Sequence, residues 1–204
     1  MPRTVDHDER RAQLSDALAR VAAREGLHAV SMRSVAAEAG VSLRLVQYYF
    51  TNKQQLLVGA LRRMEEQSND RWRTRLAEIG RSPVPREILA AFIDEALPTD
   101  APSRDFYMVS AAFSGLASTE PALAAEPLAG GVARLRESVA AAFHEAAGLD
   151  QLAPGADPDA EADGLIALCN GLSTAVVIGH HTPERAVDVA RYHLDRVLPT
   201  APSR

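Results

Sequence analysis

The sequence predicts an all-α protein: an N-terminal three-helix unit built round a helix-turn-helix, then a larger helical body, about nine helices in all. Three observations carry this. Apolar residues return every three or four positions through most of the 204 residues, and no segment alternates convincingly as a half-buried strand does. Glycine and proline punctuate those stretches, at Gly26, Gly40, Gly80, Pro83, Pro85, Pro98 and Pro183. Ser31 to Phe50, reading SMRSVAAEAGVSLRLVQYYF, has the spacing of two short helices that cross steeply at a glycine turn.

The first helix is predicted from about Asp8 to Glu25, with Leu14, Leu18 and Val21 on one face and Gly26 as the stop. In the bihelical motif Ser31 and Ser42 stand where each helix begins, and a serine hydroxyl there accepts from an exposed backbone N–H. Ala36 is small enough for the helix contact, and Gly40 can take the left-handed conformation of the turn. Val35, Ala39, Val41, Val46 and Tyr49 fall at burying positions, which leaves Arg44, Gln47 and Tyr48 facing outward together. A long helix is expected from Lys53 to about Ile79, with Leu57, Leu61, Met64 and Trp72 near one face.

The body continues as helix after helix. Arg86 to Leu97 (Ile88, Leu89, Phe92, Ile93) ends at Pro98, and Ser103 to Leu116 is strongly apolar. From Pro121 onward Leu128, Val132, Leu135, Val139 and Phe143 keep helical spacing, with Gly130-Gly131 as a kink point. A loop rich in Pro, Gly and Asp follows from Leu149 to Pro158. Glu161 to Gly179 is apolar nearly all round toward its C-terminal half, which implies burial on more than one side. Thr182 then caps a last helix, with Pro183 at its first position and Glu184 near its positive end. The expectation is that these two helices pair with their symmetry mates in a homodimer, through Leu165, Leu168, Leu172, Val176, Val187, Ala190, Leu194 and Val197. An intramolecular core is the alternative.

Over roughly Leu14 to Leu61 the chain resembles the N-terminal domain of TetR-family transcriptional regulators. The residues carrying this are Ala36, Ala37, Ala39-Gly40-Val41-Ser42, Tyr49-Phe50, Asn52-Lys53 and Leu56-Leu57. One departure is Gln47, with Tyr48 after it, where many relatives carry a tyrosine three residues before the Phe. The organisation expected is a helix-turn-helix DNA-binding domain over 1–53 and a helical ligand-binding and dimerisation domain over 54–204.

A helix-turn-helix lays its second helix, here Leu43 to Tyr49, in the major groove of double-stranded DNA, and a twofold dimer reads a palindromic operator. Arg44 and Gln47 have the donors to read guanine and adenine edges, and Tyr48 can reach a thymine methyl or a phosphate. Phosphate contacts are expected from Ser31, Arg33, Ser42, Tyr49 and Lys53. The resemblance further implies a pocket for a small effector among the middle helices, whose binding moves the long helix and separates the two heads. Its candidate lining is Trp72, Phe92, Phe106, Tyr107, Phe113, Phe143 and Asn170. Few charged residues interrupt the body's apolar stretches, which suits a largely apolar effector. A constitutive DNA-binding dimer is the alternative function, and a helical enzyme a more distant one.

Composition fits this reading. Net charge is −5, yet residues 1–53 carry eight basic side chains against six acidic ones, and the rest carry 14 against 21. A basic head on an acidic body presents one end to phosphate. No run of 18 apolar residues suggests a membrane span, MPRTVDHDERR lacks the apolar segment of a secretory signal, and a cytoplasmic location is expected. The single cysteine, Cys169, reads as packing. His180-His181 lacks companions at ligand spacing, so no metal and no cofactor are expected. His144-Glu145 and Asp94-Glu95 read as solvated faces.

Overall fold

The computed structural model describes residues 3–119 and 129–199. Among the described residues all regular structure is helical: α1 (Arg3–Glu25), α2 (Met32–Ala39), α3 (Leu43–Tyr49), α4 (Lys53–Ala77), α5 (Pro85–Ala96), α6 (Ala101–Ala117), α7 (Ala129–Gly148), α8 (Pro158–Val177) and α9 (Pro183–Val197), with a short 3-10 turn at Leu27–Ala29. Pro121 and Leu128 lie outside the described residues. Two compact units are present, one within 1–67 and 105–131, the other within 68–104 and 132–204.

The first unit is built on local chemistry at every turn. Gly26 takes φ 83° and ends α1. Ser31 Oγ accepts from the Ser34 N–H at 3.0 Å, while Ser34 Oγ accepts from the Ser31 N–H at 2.8 Å. This reciprocal box satisfies two amides that a helix start otherwise leaves open. Gly40 closes α2 at φ 66°, ψ 33°, where a side chain would be strained. Ser42 then caps α3 through the Leu45 N–H. Asn52 caps α4, its Oδ1 accepting from the Gln55 N–H at 2.9 Å. Inside lie Leu14, Leu18 and Val21 of α1, Val35, Ala36 and Val46 of the motif, and Phe50. Leu56, Leu57, Leu61 and Met64 of α4 and Val109 and Phe113 of α6 belong to the same core. The head therefore draws on residues well beyond 53. A three-helix unit of that size buries too little surface to be secure alone, and two further helices supply the deficit.

The second unit packs α5, α7, α8, α9 and the last turns of α4 round Trp72, Leu89, Phe92, Ile93, Phe143, Leu165 and Leu194. Asp157 and Thr182 cap α8 and α9 by accepting from the Ala160 and Arg185 amides. Pairing Arg191 with Asp94, and Arg86 with Asp195 and with the Leu198 carbonyl, ties α9 to α5.

One expectation is corrected here. Glu95 is no solvated residue: it is 5% exposed, and its carboxylate takes 2.6 and 3.0 Å bonds from Arg71 and accepts a 2.7 Å bond from Ser68 Oγ. Burial of a charge demands such partners. Of the eight residues expected at the subunit interface, six (Leu165, Leu172, Val176, Ala190, Leu194 and Val197) are buried within the protomer's own core. Leu168 and Val187 are partly exposed and pack against it. The stripes on α8 and α9 thus face inward, and their apolar area is satisfied intramolecularly.

Candidate nucleic-acid interface

A seven-residue helix cannot hold itself together in water; α3 persists because its ends and one face are fixed. Val46 is buried in the head core, and Ser42 and Phe50 bound the helix. The remaining face points to solvent. Arg44, Gln47 and Tyr48 are exposed together, Tyr48 to 73%. Ser31, Arg33, Ser42 and Lys53 are exposed too, while Leu43 and Tyr49 are partly buried. All nine residues expected to meet DNA thus belong to one unit, at or beside the ends of α2, α3 and α4.

The head's charges are sorted. Glu38 accepts from Arg20 at 2.8 Å and from Arg24 at 3.0 Å, and these bonds, Arg20's first, hold its carboxyl below the usual range. Arg24 also bonds Glu25. Arg11 donates to the Tyr49 carbonyl at 3.2 Å and covers the Phe50 ring at 5.1 Å. That carbonyl lies at the end of α3, where a helix leaves acceptors open and favours a cation. Arg33, Arg44 and Lys53 have no ion pair among the described residues, so they remain available to an anion.

His7 and Arg11 were not readable as parts of this face. The His7 ring lies 4.5 Å from that of Tyr49 and 6.2 Å from that of Tyr48, and the two tyrosine rings meet edge-on at 5.1 Å. The sequence holds no signal for it, because residues some forty positions apart meet only when α1 packs across the motif. A groove of about 920 Å³ also runs between α1 and the start of α4, with Arg11, Arg62 and Arg63 on its walls beside Asp8 and Glu66. Both signs share it.

The candidate effector residues divide. Trp72, Phe92 and Phe143 are buried in the second unit's core, with the Trp72 and Phe92 rings 5.8 Å apart. Trp72 Nε1 donates to the Ile88 carbonyl at 3.3 Å, so its polar atom is already satisfied. Phe113 is buried in the head's core, and Phe106 packs against that core. Tyr107 is partly buried, and Asn170 is exposed on α8. Among the described residues no group of three His, Cys, Asp or Glu side chains is placed to hold a metal ion, and no helix is long and apolar enough to cross a membrane. Cys169 is buried in α8, and burial pushes its thiol up to about 12.

Residues 14–60 match the model for bacterial regulatory proteins of the tetR family, and residues 85–199 match that for the C-terminal part of BetI-type transcriptional repressors. The chain is 29% identical over 198 residues to the HTH-type transcriptional regulator PksA of Bacillus subtilis, covering 97% of this chain and 88% of PksA. Among solved structures, a Rhodococcus protein described as a TetR-family transcriptional regulator has a TM-score of 0.83 at 25% identity, covering 93% of this chain and 98% of the other. A Saccharomonospora viridis regulator solved in complex with choline scores 0.78 at 27% identity, over 92% and 94% of the two chains.

Proposed function

This chain belongs to the TetR family of DNA-binding transcriptional regulators, and from that premise we propose that it is a ligand-responsive repressor acting as a homodimer on a palindromic operator. The observation that carries the reading is the exposed row Arg44, Gln47 and Tyr48 on a helix whose other face and both ends are fixed. One such helix meets few bases. Two on a twofold axis reach half-sites roughly 34 Å apart, one turn of the duplex, and so specify a site. Arg44 and Gln47 read base edges, and Arg33 and Lys53, with Ser31, Ser42 and Tyr49, hold the phosphates.

The surface suited to the twofold is the outer side of α8. Gly164, Ala167 and Gly171 are exposed there, Leu168 is partly exposed, and Ile178 beyond the helix end is 72% exposed. Small residues let two helices approach closely. A choline complex in a structural neighbour supports small-molecule control. The effector proposed here is small and largely apolar, held against the Trp72, Phe92 and Phe143 core. Glu95, the carboxylate buried in that unit, is already paired with Arg71. Control requires that the effector bind the DNA-competent and incompetent forms with different affinity. The regulator acts in the cytoplasm and carries out no catalysis of its own.

The test is binding of the purified protein to the region beside its own gene, against a scrambled duplex. Arg44→Ala should lose about 1–3 kcal/mol and relax discrimination at one base of each half-site. Unchanged discrimination in Arg44→Ala and Gln47→Ala would refute the base-reading assignment. Trp72 is the only tryptophan, so a compound that releases the DNA should also alter its emission.

A further inference from the structure

The geometry points to His7 as an additional DNA-contact residue, a phosphate ligand presented by α1 whose hold on DNA depends on its proton. This rests on the reading of α3 as the base-reading helix. His7 is partly exposed and lies against Tyr49, a residue of the phosphate-facing set, with the 73%-exposed Tyr48 beside that ring and 6.2 Å from His7. The ring is therefore at the edge of the proposed DNA face and not in the core behind it. Arg11, one turn along α1, fixes this end of the helix to α3 through the Tyr49 carbonyl and the Phe50 ring, so His7 is held at the face.

The groups round His7 are the phenols of Tyr48 and Tyr49 on α3, Arg44 further back on that helix, and Asp8 and Arg11 on its own helix. No ion pair engages His7 among the described residues. Aromatic packing alone would be met by a phenylalanine; an imidazole adds two things, a ring N–H that can donate to a phosphate oxygen and a charge between about pH 5 and 8. A protonated imidazole beside a phosphate displaces one further counterion per head, which neutral packing cannot do.

The experiment measures operator affinity of the full-length protein at pH 8 and pH 6, each from 50 to 200 mM salt, for wild type, His7→Phe, His7→Arg and Arg44→Ala. Wild type should bind roughly tenfold tighter at pH 6, with a log–log salt slope steeper by about 2 for a dimer, since each neutralised phosphate contributes about 0.9. His7→Phe keeps the ring packing and should bind with the pH 8 slope at both pH values. His7→Arg should bind with the steeper slope at both. A wild-type slope that does not change with pH, or a His7→Phe protein that still steepens at pH 6, overturns the proposal. The interface reading has its own control: sequence-specific binding whose discrimination Arg44→Ala relaxes upholds it whatever His7 does. Loss of discrimination in no variant, or no specific binding by wild type at either pH, refutes that reading and the role of His7 with it.

Discussion

The salt dependence of DNA binding tests the charge assignment most directly, because the proposed DNA face carries a definite set of cations. Of its basic residues, Arg20 and Arg24 are spent on Glu38 and Glu25, and Arg11 on the end of α3. Arg33, Arg44 and Lys53 stand exposed without an ion pair among the described residues. Counting these three cations of the proposed face, with Arg44 releasing a counterion from the groove as the other two do from the phosphates, a dimer brings six. With each neutralised phosphate contributing about −0.9 to the slope of log K against log salt, the expected slope near pH 8 is about −5. Raising salt from 50 to 200 mM should then weaken binding by roughly 10³-fold. Were Arg20 and Arg24 also on the phosphates, four more contacts would take the slope to about −9.

Fluorescence anisotropy with a labelled operator and a scrambled duplex separates the two cases. Arg33→Ala and Lys53→Ala should each flatten the slope by about 2 and weaken both duplexes alike, since phosphate contacts carry no sequence information. A wild-type slope near −9, or a slope indifferent to Arg33→Ala and Lys53→Ala, would show that other cations face the DNA and that the assignment is wrong.

Three further outcomes follow from the packing. Glu95→Gln should destabilise the protein by about 2 kcal/mol in urea unfolding; removing one partner of a buried pair can cost about 3–5, and Arg71, 29% exposed, recovers part of this through water. Glu38, whose folded pKa is lowered, contributes stability that is present above its ordinary value of 4.5 and is lost as pH falls through the lower folded value. Glu38→Gln should remove that part of the acid dependence, seen as a shallower fall in Tm below pH 5. Cys169, with its thiol near 12, should stay unmodified by a thiol reagent at pH 8 in the native protein and react once urea unfolds it.

How much was legible follows the distance over which each feature is decided. Ser31 with Ser34, Ser42 with Leu45, Gly40, and Thr182 with Arg185 are settled within a few residues, so cap, turn and helix start could be read directly. Arg20 with Glu38 and His7 with Tyr49 join residues on different helices, and nothing in the local pattern marks them. Glu95 lay between these cases. It stands three residues after Phe92 and seven after Ile88, which puts it on the apolar side of α5; its neighbour Asp94, turned about 100° away, disguised that register.

The same physics relocates the proposed subunit contact. A helix apolar nearly all round has two faces to cover, and periodicity counts the faces without naming what covers each. Residue size does name it. On α8 Leu165, Cys169, Leu172 and Val176 recur at spacings of four, three and four and fill the protomer's core, where volume must be matched. Gly164, Ala167 and Gly171 recur on the opposite side, too small to fill a core but well shaped for a second helix at close range. A bulky substitution discriminates between the two: Gly171→Leu adds apolar area to a surface with nothing within 4 Å of the new Cβ in the isolated chain, so the fold itself should tolerate it. If α8 meets its symmetry mate there, sedimentation should show the variant shifting from dimer to monomer while its circular dichroism stays helical. A Gly171→Leu protein that remains a dimer with unchanged operator affinity would place the twofold elsewhere on the body.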